Sequence, residues 1–203
     1  MVVPSLFAAG TFFPSPLGST DAVGAYLVGH RDAVTATGFL VFAASVPLGI
    51  YAATTYARLL RLGVRVPGPT IAFFGGIAAS VLLSISGLLT WALGQPVEGQ
   101  SPALLHTLDY IVYALGGVGF VGGLGLLVAG IAVPTLVLGL APRWLAWVGL
   151  VLAGLSELSF FALVAPPLAF LLPIGRFLGL AWLLSIGFLL PRSRHDVAGR
   201  DAK

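Results

Sequence analysis

Six residues with polar or ionisable side chains stand in stretches that are otherwise apolar enough to lie in lipid. They are His106, Asp109, Tyr110, Tyr113, Glu157 and Arg176. A charge at the centre of a bilayer costs on the order of 3 kcal/mol on insertion scales, unless it is paired or faces a cavity. These residues therefore indicate either an ion pair between helices or a site for a ligand or substrate.

His106, Asp109 and Tyr113 recur at intervals of three and four residues, so they share one face of an α-helix. Glycines follow on the same helix, and we predict that Gly116, Gly119, Gly123 and Gly130 are helix-packing residues. Glycine lets a neighbouring helix approach closely in a membrane. We expect one helix with a polar end and a glycine face, packed against another helix of the same chain.

The polar residues allow three interpretations. Glu157 and Arg176 can form an ion pair across neighbouring helices, which is a structural role. With aromatic walls such as Phe161, the same groups can bind a small ligand. Acid–base catalysis by His106, Asp109 and Glu157 on a lipid-soluble substrate is the third interpretation, although no nucleophile motif accompanies these residues.

We predict a non-catalytic membrane protein whose polar pocket binds a small or lipid-like ligand or docks a partner protein. The predicted ligand-binding residues are His106, Asp109, Tyr110, Tyr113, Glu157, Phe161 and Arg176. The alternatives are an intramembrane enzyme and an accessory subunit that docks through the glycine face. No cofactor is specified, and no metal site is expected, because His30 and His106 have no second ligand at a suitable spacing.

Composition places the chain in lipid. Its 203 residues are 58% hydrophobic and 8% charged, with a mean hydropathy of +1.04. Soluble domains carry about a quarter charged residues, so this chain is expected to be an integral membrane protein. The formal charge of +3 is small and gives no support for nucleic acid as a partner. The absence of cysteine excludes disulfides and iron–sulfur clusters.

Apolar segments long enough to cross a membrane occur at about 33–57, 70–93, 103–138, 142–164 and 168–190. They predict an all-α bundle of five transmembrane helices over residues 33–191. The third segment is about 54 Å long at 1.5 Å per residue, whereas the hydrocarbon core is about 30 Å thick. Its glycine cluster could break it, but either half is too short to span, so we favour one continuous helix.

Residues 1–32 are predicted to form an extracytoplasmic segment. Prolines interrupt residues 1–18, which we place on the outer face of the bundle. Ser19, Thr20 and Asp21 offer N-cap chemistry for a short amphipathic helix that ends near His30. Residues 192–203 are predicted to be a cytoplasmic tail.

The arginines predict the orientation. Seven of them fall on one side, namely Arg58, Arg61, Arg65, Arg143, Arg192, Arg194 and Arg200. The opposite side holds Glu98 and the mixed group His30, Arg31 and Asp32. The positive-inside rule then places the amino terminus outside and the carboxyl terminus in the cytoplasm of a bacterial cell, with the chain in its cytoplasmic (inner) membrane. The polar residues fall in the outer half of the bilayer, and we expect the cytoplasmic half to be apolar and tightly packed.

Hydroxyl side chains on the second span are expected to have a local role. Ser80, Ser84, Ser86 and Thr90 interrupt this apolar segment. Such residues most often donate a hydrogen bond back to a carbonyl of their own helix. They are therefore not predicted to form part of a site.

Short motifs bracket most of the chain. They are YLVGHRD at 26–32, PRWLAWVG at 142–149, and RFLGLAW at 176–182 followed by LPR at 190–192. Together they resemble a family of uncharacterised bacterial integral membrane proteins, known only as a domain of unknown function. The resemblance implies a helical membrane fold and no particular activity.

Overall fold

The structure, a computed structural model, describes residues 18–97, 99 and 101–191. These residues form helices and no strand, which confirms the all-α prediction for this part of the chain. The helices are α1 (Thr20–Gly29), α2 (Arg31–Arg61), α3 (Gly68–Leu93), α4 (Pro102–Val137), α5 (Arg143–Leu163) and α6 (Pro166–Leu189). Five of them, α2 to α6, are long and apolar enough to cross a membrane, so the chain is a multi-pass membrane protein. The predictions for residues 1–17 and for the tail 192–203 lie outside the described residues.

The third membrane helix, α4, is continuous over 36 residues. This was predicted because either half alone is too short to span the membrane. Ser101 caps the helix, since its Oγ accepts a hydrogen bond from Leu104 N at 3.2 Å, and Pro102 occupies the first turn. The segment Ala114–Gly119, inside the glycine cluster, is a π-helical turn. Wider turns of this kind occur frequently beside functional sites.

The chain divides into two compact units. The first comprises Met1–Pro47 and Ser80–Phe120. Its α1 is capped by Ser19, whose Oγ accepts a hydrogen bond from Ala22 N at 3.3 Å. The buried apolar residues of α1 pack in one cluster with those of α2, α3 and α4, namely Val23, Leu27, Val34, Leu93, Leu105 and Val112. This packing holds α1 against the beginning of α4.

The hydroxyl residues of α3 were predicted to bond within their own helix, and this is wrong for two of them. Thr90 does donate to Ser86 O at 2.8 Å. Ser80 Oγ instead donates to Ser45 O on α2 at 2.8 Å, and Ser86 Oγ donates to Val112 O on α4 at 3.2 Å. Close approach of the helices brings a neighbouring carbonyl within reach, so these hydroxyls stabilise helix contacts instead.

The second unit comprises Leu48–Ala79 and Val121–Lys203. Within it, α5 and α6 are joined by a buried indole: Trp182 Nε1 donates to Leu145 O at 2.7 Å. Gly149 makes this contact feasible, because a Cβ at that position would lie 2.6 Å from the indole Cε2. Likewise, the Tyr51 hydroxyl of α2 donates to Leu183 O of α6 at 2.7 Å.

Candidate functional site

The first predicted site residue on α4 is His106, which is 8% exposed. Its Nδ1 lies 2.8 Å from Thr20 Oγ1, the hydroxyl of the first residue of α1. Ser19 takes the N-cap position of α1, and the Thr20 hydroxyl next to it contacts the imidazole. The hydrogen bond fixes the orientation of the imidazole ring.

Asp109 and Tyr113 lie on the same face of α4, one helical turn apart. Asp109 is only 1% exposed, and its Oδ2 has no hydrogen-bond partner. The hydroxyl of Tyr113 is also buried and has no partner. A buried polar atom without a hydrogen bond costs about 1–3 kcal/mol, and natural proteins contain few of them. Two such atoms therefore lie on successive turns of α4, each with an unused capacity for a hydrogen bond.

Tyr110 lies beside this pair and stacks on His106, with ring centroids 4.8 Å apart. It is 43% exposed, whereas the imidazole beneath it is buried. The stacked rings give the site a flat aromatic wall with one edge at the surface. The structure thus brings His106 and Tyr110 into contact and places Asp109 and Tyr113 on the adjoining turns.

The remaining predicted ligand-binding residues belong to the second unit. Glu157 Oε1 is buried and has no hydrogen-bond partner, so the ion pair predicted with Arg176 is not formed through that oxygen. The same oxygen lies 3.0 Å from the position that a Cβ on Gly125 would take. Arg176 is half-buried and lies in a second π-helical turn, Ile174–Leu178. Phe161 is 57% exposed.

The predicted packing glycines of α4 all lie against α3. A Cβ on Gly116 would meet Ser86, one on Gly119 would meet Leu82, one on Gly123 would meet Ala79, and one on Gly130 would meet Ala72. Because α3 of the same chain covers these positions, the glycine face is not available to dock a partner protein. The accessory-subunit alternative loses its docking surface.

Two residues near the site, Thr20 and Ser86, were not predicted to take part in it. Thr20 was assigned only to capping chemistry, and Ser86 only to bonding within its own helix. Spacing along α4 contains no information about either contact, because both come from other helices. Across the described residues, no group of three or more His, Asp or Glu side chains could hold a metal ion.

No protein-family model, curated protein or solved structure matches this chain. The resemblance to the family of uncharacterised bacterial membrane proteins therefore stays a prediction.

Proposed function

We propose that this protein binds a small or lipid-like ligand at Asp109 and Tyr113 and does not catalyse a reaction. The observation that carries the proposal is the pair of buried polar atoms, Asp109 Oδ2 and the Tyr113 hydroxyl, that lack hydrogen bonds. A ligand that supplies the missing partners would recover the free energy that their burial costs.

The chemistry of the two atoms describes the ligand. Asp109 Oδ2 can accept a hydrogen bond, so a ligand that brings a donor such as an amine or a hydroxyl satisfies it. The Tyr113 hydroxyl can donate to an oxygen of the same head group. The stacked rings of His106 and Tyr110 then contact its apolar part. Asp109 is only 1% exposed, so a side chain must move before a ligand can reach it. The half-exposed side chain of Tyr110 is the candidate for this movement.

The orientation and the membrane are part of the same proposal. The arginine distribution supports an extracytoplasmic amino terminus and a cytoplasmic carboxyl terminus in a bacterial cytoplasmic membrane. With that orientation, the beginning of α4 faces outward, and the ligand enters from the outer half of the bilayer.

The test is the occupancy of the site in purified protein. We expect native mass spectrometry of the wild-type chain to detect a bound molecule, and Asp109→Asn to lower its occupancy about tenfold. The matched control is Asp32→Asn, which makes the same chemical change at an exposed position in the first turn of α2. Equal occupancy in the two variants, or no bound molecule in the wild type, contradicts the proposal.

An intramembrane enzyme is the second candidate, and one observation favours it. Thr20 Oγ1, His106 Nδ1 and the nearby Asp109 supply a hydroxyl, an imidazole and a carboxylate, the groups used in nucleophilic catalysis. The same experiment separates the two candidates. An enzyme would turn over its substrate in the wild type, so intact substrate would accumulate in Asp109→Asn protein, which is the opposite pattern of occupancy.

A further inference from the structure

A pocket of about 550 Å³ lies in the second unit, where α2 and α6 end. This volume is within the range of small-molecule sites in proteins. Its wall includes three hydroxyl side chains of α2, Tyr51, Thr54 and Thr55, beside Arg58 and Arg61. The half of the protein that was predicted to be apolar and tightly packed therefore contains a pocket with a polar wall.

Both guanidinium groups in the wall already interact within the protein. Arg58 Nη1 donates to Gly187 O at 2.8 Å, its Nε donates to Pro191 O at 3.2 Å, and its Nη2 donates to Leu190 O. The last carbonyls of a helix lack partners within that helix, so Arg58 caps the end of α6. Arg61 has an interaction partner of its own as well. We therefore assign neither guanidinium to a ligand.

The hydroxyl protons in the wall are also used within the protein. Tyr51 OH donates to Leu183 O at 2.7 Å. Thr54 Oγ1 donates to Ile50 O at 2.9 Å. Thr55 hydrogen-bonds the Tyr51 side chain, and it is the donor of that pair, because the single proton of Tyr51 goes to Leu183 O. Towards a ligand, these hydroxyl oxygens can therefore only accept a hydrogen bond.

A wall that can only accept hydrogen bonds selects a ligand that donates them. A carboxylate or a phosphodiester brings acceptors alone, so it leaves these oxygens unsatisfied. An ammonium group brings donors, but there is no carboxylate among the described residues that line the pocket, and burying a charge without a partner is costly. An uncharged hydroxyl group supplies the donor without a charge.

We propose that this pocket binds the hydroxyl groups of an uncharged lipid head group, such as the glycerol of a monoacylglycerol, with Thr54 Oγ1 as an acceptor. The pocket lies where two spanning helices end, which is the level of the head groups in a bilayer. Phe188 borders the pocket and is 87% exposed, so on a spanning helix its ring contacts acyl chains. A soluble polyol has the same hydroxyl chemistry, and the experiment compares the two sources.

Native mass spectrometry of the full chain tests this site, in an amine-oxide detergent that has no hydroxyl groups. The chain is titrated separately with 1-oleoylglycerol, with methyl oleate, which keeps the acyl ester but has no hydroxyl, and with glycerol. We expect Thr54→Val to weaken 1-oleoylglycerol binding about fivefold, and Thr54→Ser, which keeps the hydroxyl, to bind like the wild type. The matched control is Thr107→Val, because Thr107 is exposed, lies outside the pocket wall and donates to Ala103 O at 2.9 Å. It should change binding less than about twofold.

The outcomes separate the two sources of the hydroxyl groups. Binding of 1-oleoylglycerol that depends on the Thr54 hydroxyl supports a lipid site, and binding of glycerol with the same dependence supports the site with a soluble ligand. Equal losses in Thr54→Val and Thr107→Val overturn the proposal, as does methyl oleate that binds as tightly as 1-oleoylglycerol, or no binding of 1-oleoylglycerol at all. Thermal unfolding checks that each variant folds. The molecule assigned to Asp109 should be retained in Thr54→Val, so the two sites are tested independently.

Discussion

Replacing Tyr113 with phenylalanine should stabilise the ligand-free protein, although it removes a polar group that we assign to the site. The Tyr113 hydroxyl is buried without a hydrogen-bond partner. In Tyr113→Phe the ring stays and the hydroxyl disappears, so the cost of burying that hydroxyl is no longer incurred. With a ligand bound, the substitution should instead lower the stability of the protein, because the variant then lacks a hydrogen bond that the wild type makes.

A matched substitution at Tyr51 shows how large the change in the free energy of unfolding should be. Tyr51→Phe makes the same chemical change, but the Tyr51 hydroxyl donates to Leu183 O at 2.7 Å. Losing that bond should lower the free energy of unfolding by about 1 kcal/mol, while Tyr113→Phe should raise it by about 1 kcal/mol. For a chain of this length, 1 kcal/mol corresponds to a Tm shift of about 2–4 °C.

The assay is thermal unfolding of detergent-washed protein from which copurified molecules have been removed. The two variants and the wild type are compared in the same detergent, with mass spectrometry confirming that no ligand remains. If Tyr113→Phe lowers the Tm as much as Tyr51→Phe does, then the Tyr113 hydroxyl has a partner within the protein. That result would refute the reasoning from unsatisfied groups.

Two further predictions concern packing and orientation. Gly123→Ala should lower the free energy of unfolding by about 2 kcal/mol, because its Cβ would lie 2.7 Å from Ala79 N and 3.0 Å from Gly75 O. The control is Gly154→Ala, because nothing lies within 4 Å of the Cβ that this substitution adds. It should leave the free energy of unfolding unchanged or raise it slightly. Equal thermal stability of the two variants contradicts the packing. A cysteine in Val97→Cys should react with an impermeant maleimide in intact cells, and one in Arg65→Cys only after lysis; the cysteine-free wild type is the control. The reverse pattern contradicts the proposed orientation.

The membrane-spanning helices could be predicted from sequence because lipid imposes a strong requirement on composition. A spanning segment needs about 20 apolar residues whose backbone groups bond within the helix. The continuity of α4 followed from the same argument, since its halves on either side of the glycine cluster are too short to span. Its π-helical turn over Ala114–Gly119 could not be predicted, because it depends on how the helix packs.

The candidate site was only partly predictable for a related reason. Spacing identifies residues on one helix face, and so it grouped His106, Asp109 and Tyr113. It does not specify which side chains of other helices approach that face, so the Thr20 bond to His106 was missed. The same limit applies to Arg58, which sequence analysis used only for orientation although it hydrogen-bonds the end of α6.

The most direct test of the central claim is the ligand occupancy of Tyr113→Phe protein, measured by native mass spectrometry beside its thermal stability. If Asp109 and Tyr113 hold a ligand, occupancy should fall about tenfold while the ligand-free variant is at least as stable as the wild type. Unchanged occupancy in a stable, folded Tyr113→Phe protein would contradict the claim that these two residues form the site.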